Sequence, residues 1–144
     1  GVLTWSGIGF ISDFTFSPDG KSLTTINNFP PDASNLILWS LPGGKFHTDL
    51  PVSGSYVTSG ADGLIAVGDQ QGEVKLFDRK KRKVVNNLPR AKKDNASIRQ
   101  LTFSPDGSLL ARNSFYDSEI ELWGALKGEL VQTIKNDVAI STFA

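Results

Sequence analysis

Five consecutive cations, Arg79-Lys80-Lys81-Arg82-Lys83, form the sharpest charge feature of this chain. A run of this kind can hold an anion or a nucleic-acid phosphate, or act as a nuclear-import signal. It can equally be a solvated turn between two strands. The rest of the composition argues against nucleic acid. Fifteen Lys and Arg offset fifteen Asp and Glu, so no global field draws in nucleic acid or an anionic membrane. Arg90, Lys92 and Lys93 add charge in the next loop.

Catalytic chemistry finds little to work with. His47 is the only histidine. It would have to serve any Ser-His-Asp site, yet no Gly-x-Ser-x-Gly elbow presents a serine. There is no cysteine, hence no disulfide, thiol nucleophile or zinc–thiolate site. One histidine without cysteine is a poor zinc ligand set. Phosphate-binding loops, dinucleotide fingerprints and calcium loops are missing. The reading is no enzyme, no metal and no cofactor. Asp19, Asp62 and Asp106 recur at regular spacing and invite a metal site. Each sits in a turn, however, where aspartate is favoured because its carboxylate bonds to the local backbone.

Those turns lead to the elements. Ser17-Pro18-Asp19-Gly20, Gly60-Ala61-Asp62-Gly63 and Ser104-Pro105-Asp106-Gly107 place their glycines 43 and then 44 positions apart. Each turn is followed by a strand ending in an aromatic: Leu36–Trp39, Val74–Phe77 and Ile120–Trp123. Phe14 and Phe16 alternate with Asp13 and Thr15, the period of two that marks a strand. A repeat of roughly 40–45 residues made of short strands predicts β-propeller blades. The expected blades run about 8–50, 54–88 and 97–134, four strands each, with end strands at 2–5 and 138–143. No long amphipathic helix, membrane-length apolar run or signal peptide is visible. Cytoplasmic is therefore the default location. Position 1 is not methionine, as expected of a processed or excised chain.

The pieces Phe16-Ser17-Pro18-Asp19-Gly20, Phe103-Ser104-Pro105-Asp106-Gly107, Leu38-Trp39, Leu76-Phe77-Asp78 and Leu122-Trp123 resemble the tryptophan–aspartate repeat (WD-repeat) β-propeller family over nearly the whole chain. The resemblance implies an all-β fold of four-stranded antiparallel blades. The family's Gly-His dipeptide is missing, and its terminal Trp-Asp becomes Trp39-Ser40, Phe77-Asp78 and Trp123-Gly124. Only Asp117 matches the tetrad aspartate, with Gln71 and Ala33 at the equivalent positions. These blades are expected to rely more on apolar packing.

Propellers close with four to eight blades. Residues 1–144 are thus expected to form one partial propeller domain, its ring incomplete within one chain. It would associate with itself or with the remainder of a larger propeller. The expected function is a non-catalytic protein–protein interaction scaffold. By the resemblance, the loop face carrying Phe29, Pro30, Pro31, Phe115 and Tyr116 would anchor a protein partner. Two alternatives stay open: an accessory propeller segment of a prolyl-peptidase-like hydrolase, and an engineered or excised fragment whose main property is homo-oligomeric assembly.

Overall fold

Each outer blade is organised by its own turn. The Asp19 carboxylate accepts hydrogen bonds from the Ser17 hydroxyl at 2.6 Å and the Lys21 N–H at 3.0 Å, while Gly20 supplies φ 69°. Asp106 repeats this with the Ser104 hydroxyl at 2.5 Å and the Ser108 N–H at 3.0 Å, and Gly107 stands at φ 72°. Such bonds favour the ionised carboxylate. The Ser17 hydroxyl first, then the Lys21 amide, hold Asp19 below its ordinary value of 3.8. The Ser104 hydroxyl and both Ser108 groups bring Asp106 down to about 2. The middle turn is shorter by one residue. Ser59 pairs with Ile65, whereas Phe16 pairs with Leu23 and Phe103 with Leu110. The shorter link is a 3₁₀ turn, Ala61–Gly63, in which Asp62 itself takes φ 59°.

The computed structural model describes residues 10–28, 34–50, 52, 54–90, 97–115 and 118–135, excepting the side chains of 28, 34, 35 and 45–50. Among them lie three four-stranded antiparallel sheets, each in chain order. Blade 1 holds β1 (Ile11–Phe16), β2 (Ser22–Asn28), β3 (Ser34–Ser40) and β4 (Lys45–Leu50). Blade 2 holds β5 (Tyr56–Ser59), β6 (Leu64–Gly68), β7 (Val74–Asp78) and β8 (Lys83–Leu88). Blade 3 holds β9 (Ile98–Phe103), β10 (Leu109–Ser114), β11 (Glu119–Gly124) and β12 (Leu130–Lys135).

The four strands expected in each of three blades are present. β2 and β3 extend to Asn28 and Ser34, because Asn27 pairs with Asn35 and Asn28 with Ser34. Backbone pairing continues there through residues of low strand propensity, a ladder effect that composition does not show. All three blades carry the same irregularity beside the aromatic of the third strand, at Leu38/Trp39, Leu76/Phe77 and Leu122/Trp123. The extra residue on the fourth strand is His47, Val85 or Val131 in turn. The one histidine thus occupies a bulge position that two valines fill elsewhere, a structural place in the repeat.

First strands of successive blades lie side by side, β1 against β5 and β5 against β9. That is the arrangement of blades around an axis, with fourth strands outermost. Two apolar clusters form the seams. Ile26, Leu36 and Leu38 meet Val57, Ile65, Val67 and Phe77 between blades 1 and 2. Ala66, Val74, Leu76 and Leu88 meet Ile98, Leu101, Leu110 and Trp123 between blades 2 and 3. Phe77 and Trp123 are buried packing residues in these seams. Trp39 is half-buried and also donates its indole N–H to the Thr25 hydroxyl at 3.2 Å.

Candidate functional site: loops, seams and open blade faces

The basic run does not form one patch. Asp78 accepts the Lys80 and Lys81 amides at 2.9 and 3.0 Å, closing the turn on itself. The Lys81 amide foremost lowers the Asp78 pKa, and Lys81 Nζ lies 3.6 Å from the same carboxylate. Arg82 adopts φ 54°, and Lys83 opens β8 on the exposed side. Arg79 turns toward the neighbouring blade, where its guanidinium donates to the Ser22 hydroxyl at 2.5 Å. On the loop face, Phe115 is 37% exposed, with the Arg99 guanidinium 5.4 Å from its ring centroid. Phe29, Pro30, Pro31, Tyr116, Asp117, Lys92, Lys93 and the end strands at 2–5 and 138–143 lie outside the described residues.

The expectation that these blades rely on apolar packing fails for blade 3. Arg112 is 1% exposed, the largest of the fully buried side chains. Its Nε donates to Glu121 Oε2 at 2.8 Å and its Nη2 to the same oxygen. The Trp123 indole donates to that oxygen at 3.1 Å, and the guanidinium sits 5.1 Å from the Trp123 ring centroid. Nη1 crosses the seam to the carbonyls of Pro89 at 2.6 Å and Gly72 at 3.2 Å. A charge in the interior must be paired and hydrogen-bonded, and this one is on every side. Val67 and Lys75 hold the paired positions in blade 2, Thr25 and Ile37 in blade 1. Sequence reading missed the network. Its signal was a charge interrupting each apolar face, Leu110-x-Arg112 and Glu121-x-Trp123.

The two outer faces of the stack repeat the two halves of an inner seam. On β9, Leu101 is 8% exposed and lies over Gly68, where a Cβ would come within 2.8 Å of it. The Phe103 ring lies over Gly60 in the same way, also 2.8 Å from a Cβ placed there. Phe14 and Phe16 hold the corresponding positions on β1, yet they are 61% and 59% exposed. At the other end, Val74, Leu76 and Leu88 of blade 2 are fully covered by blade 3. Their counterparts Ile120, Leu122 and Ile134 are uncovered in part, Ile134 to 43%. The stack offers one half of a blade seam at each end.

Sheet order, bulges and turns define WD-type propeller blades, and comparison with known proteins agrees. A family model described as the anaphase-promoting complex subunit 4 WD40 domain matches residues 59–143, more than half of the chain. The chain belongs to that WD-repeat family. A solved structure titled "Structure of U3-55K" superposes with a TM-score of 0.75 at 15% identity, covering 92% of this chain and 41% of that one. That likeness shows the fold, and this chain spans less than half the length of that structure. No curated protein matches the sequence.

Proposed function

We propose that this chain is a non-catalytic protein-interaction scaffold that works by presenting blade faces for completion, by a second copy or by the remainder of a larger propeller. One observation carries the reading. Phe14 and Phe16 on one end, and Ile120, Leu122 and Ile134 on the other, are repeat copies of residues that blades 2 and 3 bury against each other. Exposed apolar faces of this kind mark association sites. The family is described by a subunit of a multi-subunit complex, which fits a scaffold role. Phe115, with Phe29, Pro30 and Tyr116, forms a second contact surface in this reading. Replacing Phe115 and Tyr116 with alanine weakens a bound partner and leaves thermal stability unchanged.

The test of the scaffold reading is a Phe14→Asp, Phe16→Asp double variant followed by sedimentation velocity. Neither residue belongs to an apolar cluster among the described residues, so the fold survives by circular dichroism while association is lost. A variant that associates like the parent chain removes this face from the proposal.

A further inference from the structure

The seam between blades 1 and 2 holds a pocket of about 600 Å³ beside the turns, a size typical of small-ligand sites. Its lining departs from the repeat at three positions. Ser22 and Thr24 of blade 1 stand where blade 2 has Leu64 and Ala66. Ser59 of blade 2 stands where blade 3 has Phe103. Hydroxyls thus replace apolar groups of the next seam, where Phe103 packs on Gly60 and Ala66 lies in an apolar cluster. Ser17, Ser22, Thr24 and Ser59 all line the pocket, and Leu64 and Ile65 give it an apolar part. Thr24 is 2% exposed, and its hydroxyl makes no hydrogen bond to a described residue. Every completely enclosed side-chain polar atom among the described residues is paired, so the accessible sliver of Thr24 is this hydroxyl, opening on the pocket. The lining carries no excess charge, because Arg79 and Lys80 are matched by Asp19 and Asp62.

We propose that this pocket binds a neutral saccharide, whose hydroxyls bond to Thr24, Ser17 and Ser59 while the C–H face of its ring rests on Leu64 and Ile65. The lining selects this class against its rivals. A charged ligand gains from one pair of lining charges what it loses to the other pair. A wholly apolar ligand leaves the Thr24 hydroxyl buried without a partner, which is costly. A sugar meets both conditions. It is uncharged, and each of its hydroxyls donates and accepts, as do the serine and threonine hydroxyls that face it. The carboxylates and cations of the lining add acceptors and donors for the remaining ligand hydroxyls. This site goes beyond the scaffold reading and does not rest on it, since it uses a surface apart from the open blade faces.

The probes are glucose, galactose, mannose and maltose, titrated into the full chain and followed by proton–nitrogen correlation NMR. At least one should bind with millimolar affinity and shift the amides of Thr24, Ser59 and their neighbours. Added salt should leave that affinity unchanged, because no charge on the ligand is screened. Thr24→Val removes the hydroxyl at nearly equal volume and should weaken binding about three- to tenfold, the worth of one neutral hydrogen bond. Its thermal stability should hold or rise, since an unpartnered polar group is gone. Ser59→Leu, which fills the pocket from blade 2, should abolish binding, and it keeps the test valid if the valine variant fails to fold. No shift with any of the four sugars, a pocket for water only, would overturn the assignment. So would shifts confined to residues outside the pocket, unchanged binding to the folded variants, or tighter binding of inorganic phosphate or cyclohexanol than of every sugar. The Phe14→Asp, Phe16→Asp variant should bind sugar like the parent chain, so loss of assembly and loss of the pocket register separately.

Discussion

The seam between blades 1 and 2 and the seam between blades 2 and 3 grow from one repeat but close by different chemistry. In the first, polar side chains on β1 reach the edge of β5. Asp13 accepts the Val57 N–H at 2.8 Å and Thr15 the Ser59 N–H at 3.3 Å. Beside them lies an open pocket lined by Ser17, Ser59, Leu64 and Arg79 among others. In the second, β9 presents Leu101 and Phe103 to bare glycines, and Arg112 reaches across to two carbonyls of blade 2. The shared backbone fixes where blades meet. Single positions decide whether the meeting is dry and clamped, or edged with hydrogen bonds and open.

The largest break is expected at the clamp. Arg112→Met leaves Glu121 and the carbonyls of Gly72 and Pro89 without their buried partner, at a cost of about 3–5 kcal/mol, read as a lower urea midpoint. Adding Glu121→Leu should recover part of that loss, because an apolar pair no longer strands a charge. A loss under 1 kcal/mol in the single variant would show that the network does not hold the seam.

Gly60→Ala tests the aromatic-on-glycine contact. Gly60 has an extended backbone, φ −106°, so alanine meets no conformational barrier. The added methyl instead meets the Phe103 ring, and overpacking of this sort costs about 1–3 kcal/mol. Combining it with Phe103→Leu should give less than the sum of the two single effects, since the residues touch. Strict additivity by denaturant titration would deny the contact.

At the first seam, Asp13→Ala removes one acceptor from a partly buried amide and should cost about 1 kcal/mol. That smaller loss is what separates an edge bond from a buried clamp. The turns differ again in acid. Asp106 has its folded pKa depressed to about 2 from an ordinary 3.8. Its contribution is therefore present above the unfolded value and is lost as pH falls through the folded one. Asp106→Asn should abolish that part of the acid sensitivity, seen by comparing unfolding midpoints of the two proteins between about pH 6 and 2. The variant should match the parent at the acid end and fall below it at the neutral end.

Much of the fold was legible because its signals are local. Pro-Asp-Gly turns, alternation along β1 and the aromatic ends of third strands each depend on a few neighbouring residues. Asp19 and Asp106 bond within their own turns as the sequence suggested, whereas Asp62 sits at positive φ in a 3₁₀ turn. What depends on neighbouring blades was not legible. Phe14 and Phe16 read as one face of a strand, but nothing local says that the face is bare while Leu101 and Phe103 are packed. Arg112 and Glu121 look like ordinary strand charges until β10 and β11 pair them in register beneath Trp123. The basic run read as a unit, yet its own turn bonds and the reach of Arg79 toward Ser22 divide it.

The central claim is that the ends of the stack are seam halves that require a cover. Light scattering behind a sizing column, over a concentration series of the isolated chain, tests it most directly. The account predicts a mass above the 15.6 kDa of one chain, rising with concentration or settling at a discrete multiple. A 15.6 kDa monomer at every concentration would contradict it.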